Sequence, residues 1–305
     1  MTLRKLIMIM RRKGRWTAFV IISAVIISVM ALYLDHAGNQ EVEEPKHTPR
    51  SEQSNAPMET PARDMQEKYG TDSIVPKDKI IQGRKRVAIL IDDIGYDLSP
   101  LYELLKIDAS LTFAILPYYA HSVDAANILH RAKREILLHL PMEPHTFPDE
   151  NPGMGALLMS MSDRQIKREV DKDLDAIPYL SGVNNHMGSK FMEDEAKLNI
   201  VFRELKKRNL FFVDSRTTSL SRGPEIARKL GLRFVSRKIF IDNDHDYMTI
   251  FRNLTTRFDR EFDHKSEAVV MIGHPHMKTI KALKEAIPVL KARGIDIVPV
   301  SALVQ

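Results

Sequence analysis

Two adjacent carboxylates, Asp92 and Asp93, directly follow an uncharged apolar run, residues 87–91. Such a run predicts a β-strand that is buried on both faces. Two carboxylates at its end are costly unless a metal ion, a proton-transfer reaction or the turn before Gly95 makes use of them. The pair alone does not distinguish a turn cap from catalytic chemistry, so the remaining strand ends decide.

Carboxylates, imidazoles and other polar or aromatic side chains stand at the ends of most later apolar runs. They are Tyr118, His139, Glu143, Asn185, His186, Asp214, Arg216, Asp242 and His274. In a parallel barrel the carboxyl ends of the strands converge on one face, where barrel enzymes place their chemistry. A cap at one strand end is common, but ionisable groups at five or six successive ends indicate one shared site.

The sequence contains no cysteine, so a metal ion would be held by histidine, aspartate or glutamate. One carboxylate and two imidazoles suit Zn²⁺ best, and mixed oxygen and nitrogen ligands also accept Co²⁺, Ni²⁺ or Mn²⁺. Such a metal acidifies its bound water and polarises a carbonyl. A neighbouring carboxylate can then accept the proton, and an imidazole can protonate the leaving group.

From residue 85 onward, short apolar runs alternate with amphipathic stretches. The predicted strands are residues 86–91, 111–116, 135–140, 182–186, 210–214, 233–241, 267–272 and 295–300. Helices are predicted from the capping box at Ser162 and Gln165 toward residue 177, and over residues 193–208 and 277–293. The alternation predicts an α/β fold with a mainly parallel sheet, open or closed into a barrel. The acidic run 242–246 lacks the glycine and the distal glutamate of an EF-hand and predicts a helix N-cap.

The first 84 residues differ in composition from the rest. Residues 1–16 carry six basic side chains and residues 17–34 carry no charge, which predicts a transmembrane anchor with its N-terminus in the cytoplasm. The globular part would then lie in the periplasm, or on the outer face of a bacterial inner membrane; the alternative is a cleaved signal peptide. Residues 35–84, rich in Glu, Pro, Ser, Gln and Lys, predict a disordered linker. Because the positive charge is concentrated at this terminus, we expect no nucleic-acid partner.

The order of motifs in residues 85–305 resembles that of the divergent polysaccharide deacetylases, carbohydrate esterases with the NodB-homology fold. Residues 90–95, L-I-D-D-I-G, are similar to the motif T-F-D-D-G of these enzymes. That resemblance implies that Asp92 is the catalytic base and Asp93 a metal ligand. The stretch I-G-H, which ends at His274, is similar to the motif L-x-H and implies that His274 is the general acid.

The metal site departs from the family pattern at one position. The stretch H-L-P-M-E-P, which begins at His139, is similar to H-[ST]-x-x-H-P, but Glu143 replaces the second metal-binding histidine. Either Glu143 coordinates the metal or another residue supplies the missing imidazole, and we favour His186. The arginine motif R-x-P-[FWY] has no match at residues 184–189, so the arginine that orients the base is absent or relocated.

The resemblance implies a distorted (β/α) barrel with seven or eight mainly parallel strands. It also implies a metal-dependent hydrolase, with Zn²⁺ as the expected metal, that removes acetyl groups from a cell-envelope polysaccharide or amino-sugar glycan. The candidate substrate-binding residues are Tyr118, Asn185, Asp214 and Arg216. The alternative is a catalytically degenerate domain that binds an envelope glycan or a periplasmic protein partner.

Overall fold

The computed structural model describes residues 85–262 and 268–305 of the chain. The predicted membrane anchor, residues 17–34, and the predicted linker, residues 35–84, lie outside the described residues. Within the part that is described, no helix combines the length and apolarity needed to cross a bilayer. The described residues correspond to the predicted deacetylase-like domain.

A single parallel sheet organises this domain. The described residues form nine strands rather than the expected seven or eight: β1 (Arg86–Ile94), β2 (Thr112–Ile115), β3 (Glu135–Met142), β4 (Gly182–Met187), β5 (Phe211–Asp214), β6 (Phe234–Ser236), β7 (Ile239–Phe240), β8 (Ala268–Gly273) and β9 (Asp296–Ile297). Their order in the sheet is β6-β5-β4-β3-β2-β1-β8-β7, and β9 pairs with β1 beside that path. Every strand pair is parallel, as the sequence predicts.

Helices connect most of these strands, as parallel pairing requires. The predicted capping box forms at the start of the third helix, where the side chains of Ser162 and Gln165 bond reciprocally to the backbone. Asp246 caps the sixth helix by accepting a hydrogen bond from the Thr249 amide. The helices are α1 (Ser99–Leu105), α2 (Ser122–Arg131), α3 (Asp163–Ala176), α4 (Glu195–Lys207), α5 (Gly223–Leu230), α6 (Tyr247–Thr255) and α7 (Met277–Ala292).

The sheet curls because two consecutive strands lie at its opposite ends. The predicted strand 233–241 is broken into β6 and β7, and only Arg237 and Lys238 separate them. The Arg237 amide donates to the Asp214 carbonyl at 2.9 Å, and the Lys238 amide donates to the Val270 carbonyl at 2.9 Å. These two residues therefore step from one edge of the sheet to the other. The result is a curled half-barrel whose ends are joined by the chain itself.

The two faces of the sheet bury different apolar clusters. The face that packs under the helices includes Val87 and Ile89 of β1. The opposite, inner face holds a smaller cluster without α-helical residues, formed by Ala88, Leu90, Ala114, Leu137, Phe211, Val213, Val270, Ile272, Val300 and Leu303. Burial of each Val, Leu or Ile side chain stabilises the fold by roughly 1.5–3 kcal/mol. Because side chains alternate along a strand, this register also determines which residues face inward at the carboxyl ends.

Candidate active site

Polar side chains continue the inner face at the carboxyl end of the sheet. On four strands, the residue two positions after an inward-facing apolar residue is polar and faces the same way: these residues are Asp92, His139, Ser215 and His274. On β4 the same alternation places Asn184 and His186 on one face, and pairing puts His139 beside Asn184. The apolar layer below them thus becomes the floor of a site assembled from five strands.

Asp93 reaches this site because β1 is irregular at its end. The pairing of β1 with β2 shifts register between Ile91 and Ile94, and Asp93 adopts a left-handed conformation with φ of 57°. In a regular strand Asp92 and Asp93 would point to opposite faces. The bulge re-aims Asp93 toward the same site. A non-glycine residue in this conformation costs about 1–3 kcal/mol, a strain typical of functional sites.

Three side chains then meet in a nearly equilateral triangle. Asp93 Oδ1 lies 3.2 Å from His139 Nε2 and 3.2 Å from His186 Nδ1. The two imidazole nitrogens lie 3.1 Å from each other. Among the described residues, these three form the group whose potential ligand atoms converge in the way a metal ion requires.

The triangle fits a divalent metal ion. Ligand atoms about 2.0–2.1 Å from a tetrahedral zinc ion lie about 3.3 Å from one another, close to the observed separations. Asp93 Oδ1 is buried and has no hydrogen bond of acceptable geometry in the described part of the chain. Burial opposes ionisation, but the imidazoles of His139 and His186 outweigh it and hold the pKa of Asp93 well below its usual range. The carboxylate is therefore charged, as a metal ligand must be.

Asn184 orients both His139 and Asp92. Its amide nitrogen donates to Asp92 Oδ1 at 2.8 Å and to Ser215 Oγ at 3.2 Å, so its oxygen faces His139 Nδ1 at 2.9 Å. His139 Nδ1 therefore carries a proton and donates a hydrogen bond to that oxygen. In a neutral His139, the form that binds a metal ion, the lone pair of Nε2 would then face the triangle, the arrangement by which an outer residue positions a metal-binding histidine.

Glu143, the other candidate for the third ligand, is not part of the triangle. Its side chain is only 4% exposed, although it follows β3 directly. One carboxylate oxygen accepts from the Met159 amide at 2.6 Å, and the other pairs with Lys190 Nζ at 2.7 Å. Glu143 thus fixes the loop after β3, and it is His186 that lies in the triangle with Asp93 and His139.

Asp92 lies beside the triangle and is almost fully buried. Its Oδ2 is 3.6 Å from His139 Nε2, and its Oδ1 accepts from Asn184. Burial raises the pKa of Asp92 above its ordinary value, against the charges of His139 and His274, which lower it. A raised pKa makes this carboxylate a stronger proton acceptor, which suits a general base.

His274 faces the same space from β8. Its Nε2 lies 3.9 Å from Asp93 Oδ2, and its Nδ1 lies 3.0 Å from Asp242 Oδ1. Asp242 also accepts from the His274 amide at 2.7 Å and from the Thr279 hydroxyl at 2.8 Å. Burial alone would lower the pKa of His274, but the hydrogen bond and charge of Asp242 raise it to about 9. His274 is therefore an imidazolium at neutral pH, the state of a general acid.

A sequence profile described as divergent polysaccharide deacetylase matches residues 89–304. The chain belongs to that family. The resemblance inferred from the motifs is thus confirmed. The chain is 30% identical over 204 residues to the uncharacterized protein YibQ of Escherichia coli K12, across 66% of this chain and 62% of YibQ. The match accordingly spans less than two thirds of the length of YibQ.

Solved structures share the fold of this chain. An uncharacterized protein of Agrobacterium tumefaciens C58 superposes with a TM-score of 0.68 at 24% identity, covering 72% of this chain and 89% of that one. A putative cellobiose-phosphate cleavage protein of Enterococcus faecalis V583 has a TM-score of 0.50 at 16% identity, covering 73% and 100%. At these identities the similarity establishes the fold alone.

Two of the four expected substrate-binding residues make hydrogen bonds within the protein. Asn185 is buried and binds the Met187 carbonyl and the Ser215 amide, so it ties the end of β4 to that of β5. Asp214 is buried and accepts from the Arg216 amide and the Ser221 hydroxyl. Their polar atoms therefore hold the backbone, which gives both residues a structural role, and their part in substrate binding stays a prediction.

The other two lie at the rim. Tyr118 packs beside Gly155 and Asp173, so its ring is directed at the loop before α3. Arg216 is exposed and left-handed, with φ of 48°. Its carbonyl accepts from Arg237, whose guanidinium also donates to Ser215 and stacks 3.7 Å from the centre of the Phe240 ring.

The sequence patterns gave no role in the site to Asn184 or Arg237, and they marked Asp242 as a polar residue at a strand end without indicating its contact with His274. The alternation of β4 was a usable signal for Asn184, since it shares a face with His186. Asp242 lay in a run predicted to cap a helix; Asp246 does so, while Asp242 turns to His274. Arg237 lay inside a predicted strand, and no local pattern distinguished it.

Proposed function

We propose that this chain is a metal-dependent hydrolase that removes acetyl groups from a cell-envelope polysaccharide or amino-sugar glycan. The observation that carries the proposal is the triangle of Asp93, His139 and His186, with Asp92 and His274 on its border. Ligands, a base and an acid thus occupy one small space. An open ligand triangle beside an acid and a base is the arrangement that metal-assisted hydrolysis requires.

The residues would divide the work as follows. A divalent metal in the triangle would supply a Lewis acid that activates water and polarises the acetyl carbonyl. Asp92, held by Asn184, accepts the proton of the attacking water. His274, held by Asp242, donates a proton from Nε2 to the departing amine or alcohol. Its pKa of about 9 keeps that proton in place at neutral pH.

Family membership supports an acetylated glycan as the substrate class. The hydropathy of residues 17–34 supports a location at the bacterial inner membrane with the domain in the periplasm, where envelope glycans are found. Zn²⁺ is the metal we propose, because one carboxylate and two imidazoles match its preferences.

Metal analysis of the purified full chain, combined with an acetate-release assay on N-acetylglucosamine oligomers and acetylated peptidoglycan, tests the proposal. We expect one tightly bound divalent metal in the wild type and at least tenfold weaker binding in His186→Ala. The matched control is His145→Ala, which removes an exposed imidazole that pairs with Glu193 outside the triangle. Asp92→Asn should keep the metal and lose acetate release.

Equal metal affinity of the His186→Ala and His145→Ala variants would contradict the ligand assignment. A wild type without a bound transition metal would sink the hydrolase proposal. Metal binding without acetate release from either substrate would favour the alternative, a non-catalytic domain that binds a glycan or a periplasmic protein.

A further inference from the structure

Two tyrosines, the exposed Tyr96 and the half-buried Tyr119, form an aromatic pair at the rim of the site. The Tyr96 side chain is 58% exposed. Its ring centre lies 4.0 Å from that of Tyr119 at an interplanar angle of 48°, and the two hydroxyls are joined by a hydrogen bond of 2.6 Å. Because each hydroxyl satisfies the other, the rings are held in place while an aromatic face stays accessible.

The backbone beneath the pair is rigid. The Leu116 amide donates to the Ile94 carbonyl at 2.9 Å, and the His121 amide donates to the Gly95 carbonyl at 3.1 Å. The Ser122 hydroxyl donates to the Leu116 carbonyl and accepts from the Tyr119 amide. Gly95 has φ of +135°, and a Cβ there would lie 2.8 Å from Ser122 Oγ. The loops after β1 and β2 are thus locked together without a side chain between them.

The pair lies next to the proposed catalytic groups. Tyr96 follows Asp93 by three residues. Burial, the hydrogen bond to Tyr119 and the charge of Asp93 together raise the pKa of Tyr96 to about 12, so the ring is within electrostatic reach of the metal triangle. On the other side a Cβ at Gly153 would lie 3.0 Å from the Tyr119 hydroxyl, so the loop after β3 covers that edge. The free face therefore belongs mainly to Tyr96.

The aromatic face and the carboxylates of the rim restrict the class of ligand that can bind there. An aromatic face carries partial negative charge and attracts C–H groups polarised by neighbouring oxygens, which the flat side of a pyranose ring presents. A nucleobase would stack equally well, but its phosphates would meet the carboxylates of Asp93 and Asp97. An apolar surface with convergent polar groups beside it is typical of a small-ligand subsite.

We propose that Tyr96 and Tyr119 form a stacking platform for a pyranose ring that neighbours the acetylated residue of the glycan. The platform rests on the proposed deacetylase function, since that function places an acetylated sugar at Asp92 and His274. The aromatic subsite is thus assigned to Tyr96 and Tyr119 and not to Tyr118, whose ring is directed at Gly155 and Asp173.

Calorimetric titration of the purified full chain with the N-acetylglucosamine tetramer tests the platform. We expect Tyr96→Ala to weaken binding about tenfold, the loss typical of one aromatic stacking contact. Tyr96→Phe keeps the ring face and should stay within about threefold of the wild type. The control is Tyr102→Ala on α1, which removes a tyrosine side chain of similar exposure, 50%, and should leave the affinity unchanged. Thermal melting confirms that each variant is folded.

The platform is overturned if the wild type does not bind the tetramer, or if Tyr96→Ala binds as tightly as Tyr102→Ala. Titration of the Asp93→Asn variant with the tetramer tests sugar binding without the proposed metal-ligand carboxylate, so the platform and the hydrolase proposal are tested separately. Tetramer binding that depends on Tyr96 but is accompanied by no acetate release would support the platform and refute hydrolysis. Acetate release by a protein whose tetramer binding does not change in Tyr96→Ala would support hydrolysis and refute the platform.

Discussion

Replacing Asp242 with asparagine tests how the protein sets the protonation state of His274. Asp242 is buried and accepts hydrogen bonds from His274 Nδ1, the His274 amide and the Thr279 hydroxyl. Asparagine has the same size and keeps one accepting oxygen, so the imidazole retains a partner while the charge is lost. One amide N–H of the new side chain then faces a donor, which costs about 1–3 kcal/mol of stability.

The size of the effect follows from the pKa of His274. That pKa is about 9, against an ordinary value of 6.5, and the difference corresponds to about 3 kcal/mol of preference for the charged form. Burial by itself lowers the pKa, and Asp242 is the leading opposing cause. Without its charge we expect a fall of about two units, to about 7 or below. At pH 8 the imidazolium fraction would drop from roughly nine-tenths to about one-tenth.

The assay is an NMR titration of the imidazole signals in the metal-free full chain, followed by the pH profile of acetate release. Asp244→Asn is the matched control, because it makes the same change in the same loop, where the Asp244 carboxylate accepts from the exposed Asp246 amide. We expect the control to titrate like the wild type and Asp242→Asn to lose activity at a lower pH. An unchanged His274 pKa in Asp242→Asn would refute the electrostatic reasoning.

Stability gives an independent readout with a defined sign. The folded-state pKa of His274 is raised, so the stabilisation from this group is complete below about pH 6.5 and is lost as the pH rises through about 9. Wild type should therefore lose stability across that window in chemical denaturation. Asp242→Asn should show a much smaller change over the same range.

Three further variants test other parts of the fold. Burial raises the pKa of Asp173 to about 8, so the wild type should lose stability as the pH rises from about 4 to 8. Asp173→Asn should remove that loss, and its free energy of unfolding at pH 8, measured by chemical denaturation, should exceed that of the wild type by up to about 5 kcal/mol. Asn184→Ala, which frees His139, should weaken metal binding about 10- to 100-fold in chelator competition. Lys190→Ala leaves Glu143 buried without its cation, so it should lower the melting temperature while metal content, measured by elemental analysis, stays at the wild-type level.

Much of the fold could be predicted because its signals are local. The apolar runs identified every described strand longer than three residues to within two residues at each end, except at the carboxyl end of β1. The capping box at Ser162 located the start of α3. Polar residues after the strands indicated one shared site, and those on β3, β4 and β8 do converge there.

The choice between Glu143 and His186 required the tertiary structure. Both follow strands, and both residue types bind zinc. Pairing of β3 with β4 places His186 opposite Pro141, two residues beyond the contact of His139 with Asn184. The side chain of Lys190, which follows β4, pairs with the carboxylate of Glu143. Neither neighbour is visible from the sequence around Glu143.

Taken alone, the sequence determined the residue types, the alternation of side chains along each strand and the family, because these depend on neighbours one to four positions apart. Only the tertiary structure decided that a bulge turns Asp93 toward Asp92, and that Asp242 meets His274 across 32 positions. Both depend on strand order and register, as when β7 pairs with β8 through Phe240 and Ile272. Register is set by the packing of the whole sheet, which no local stretch of sequence contains.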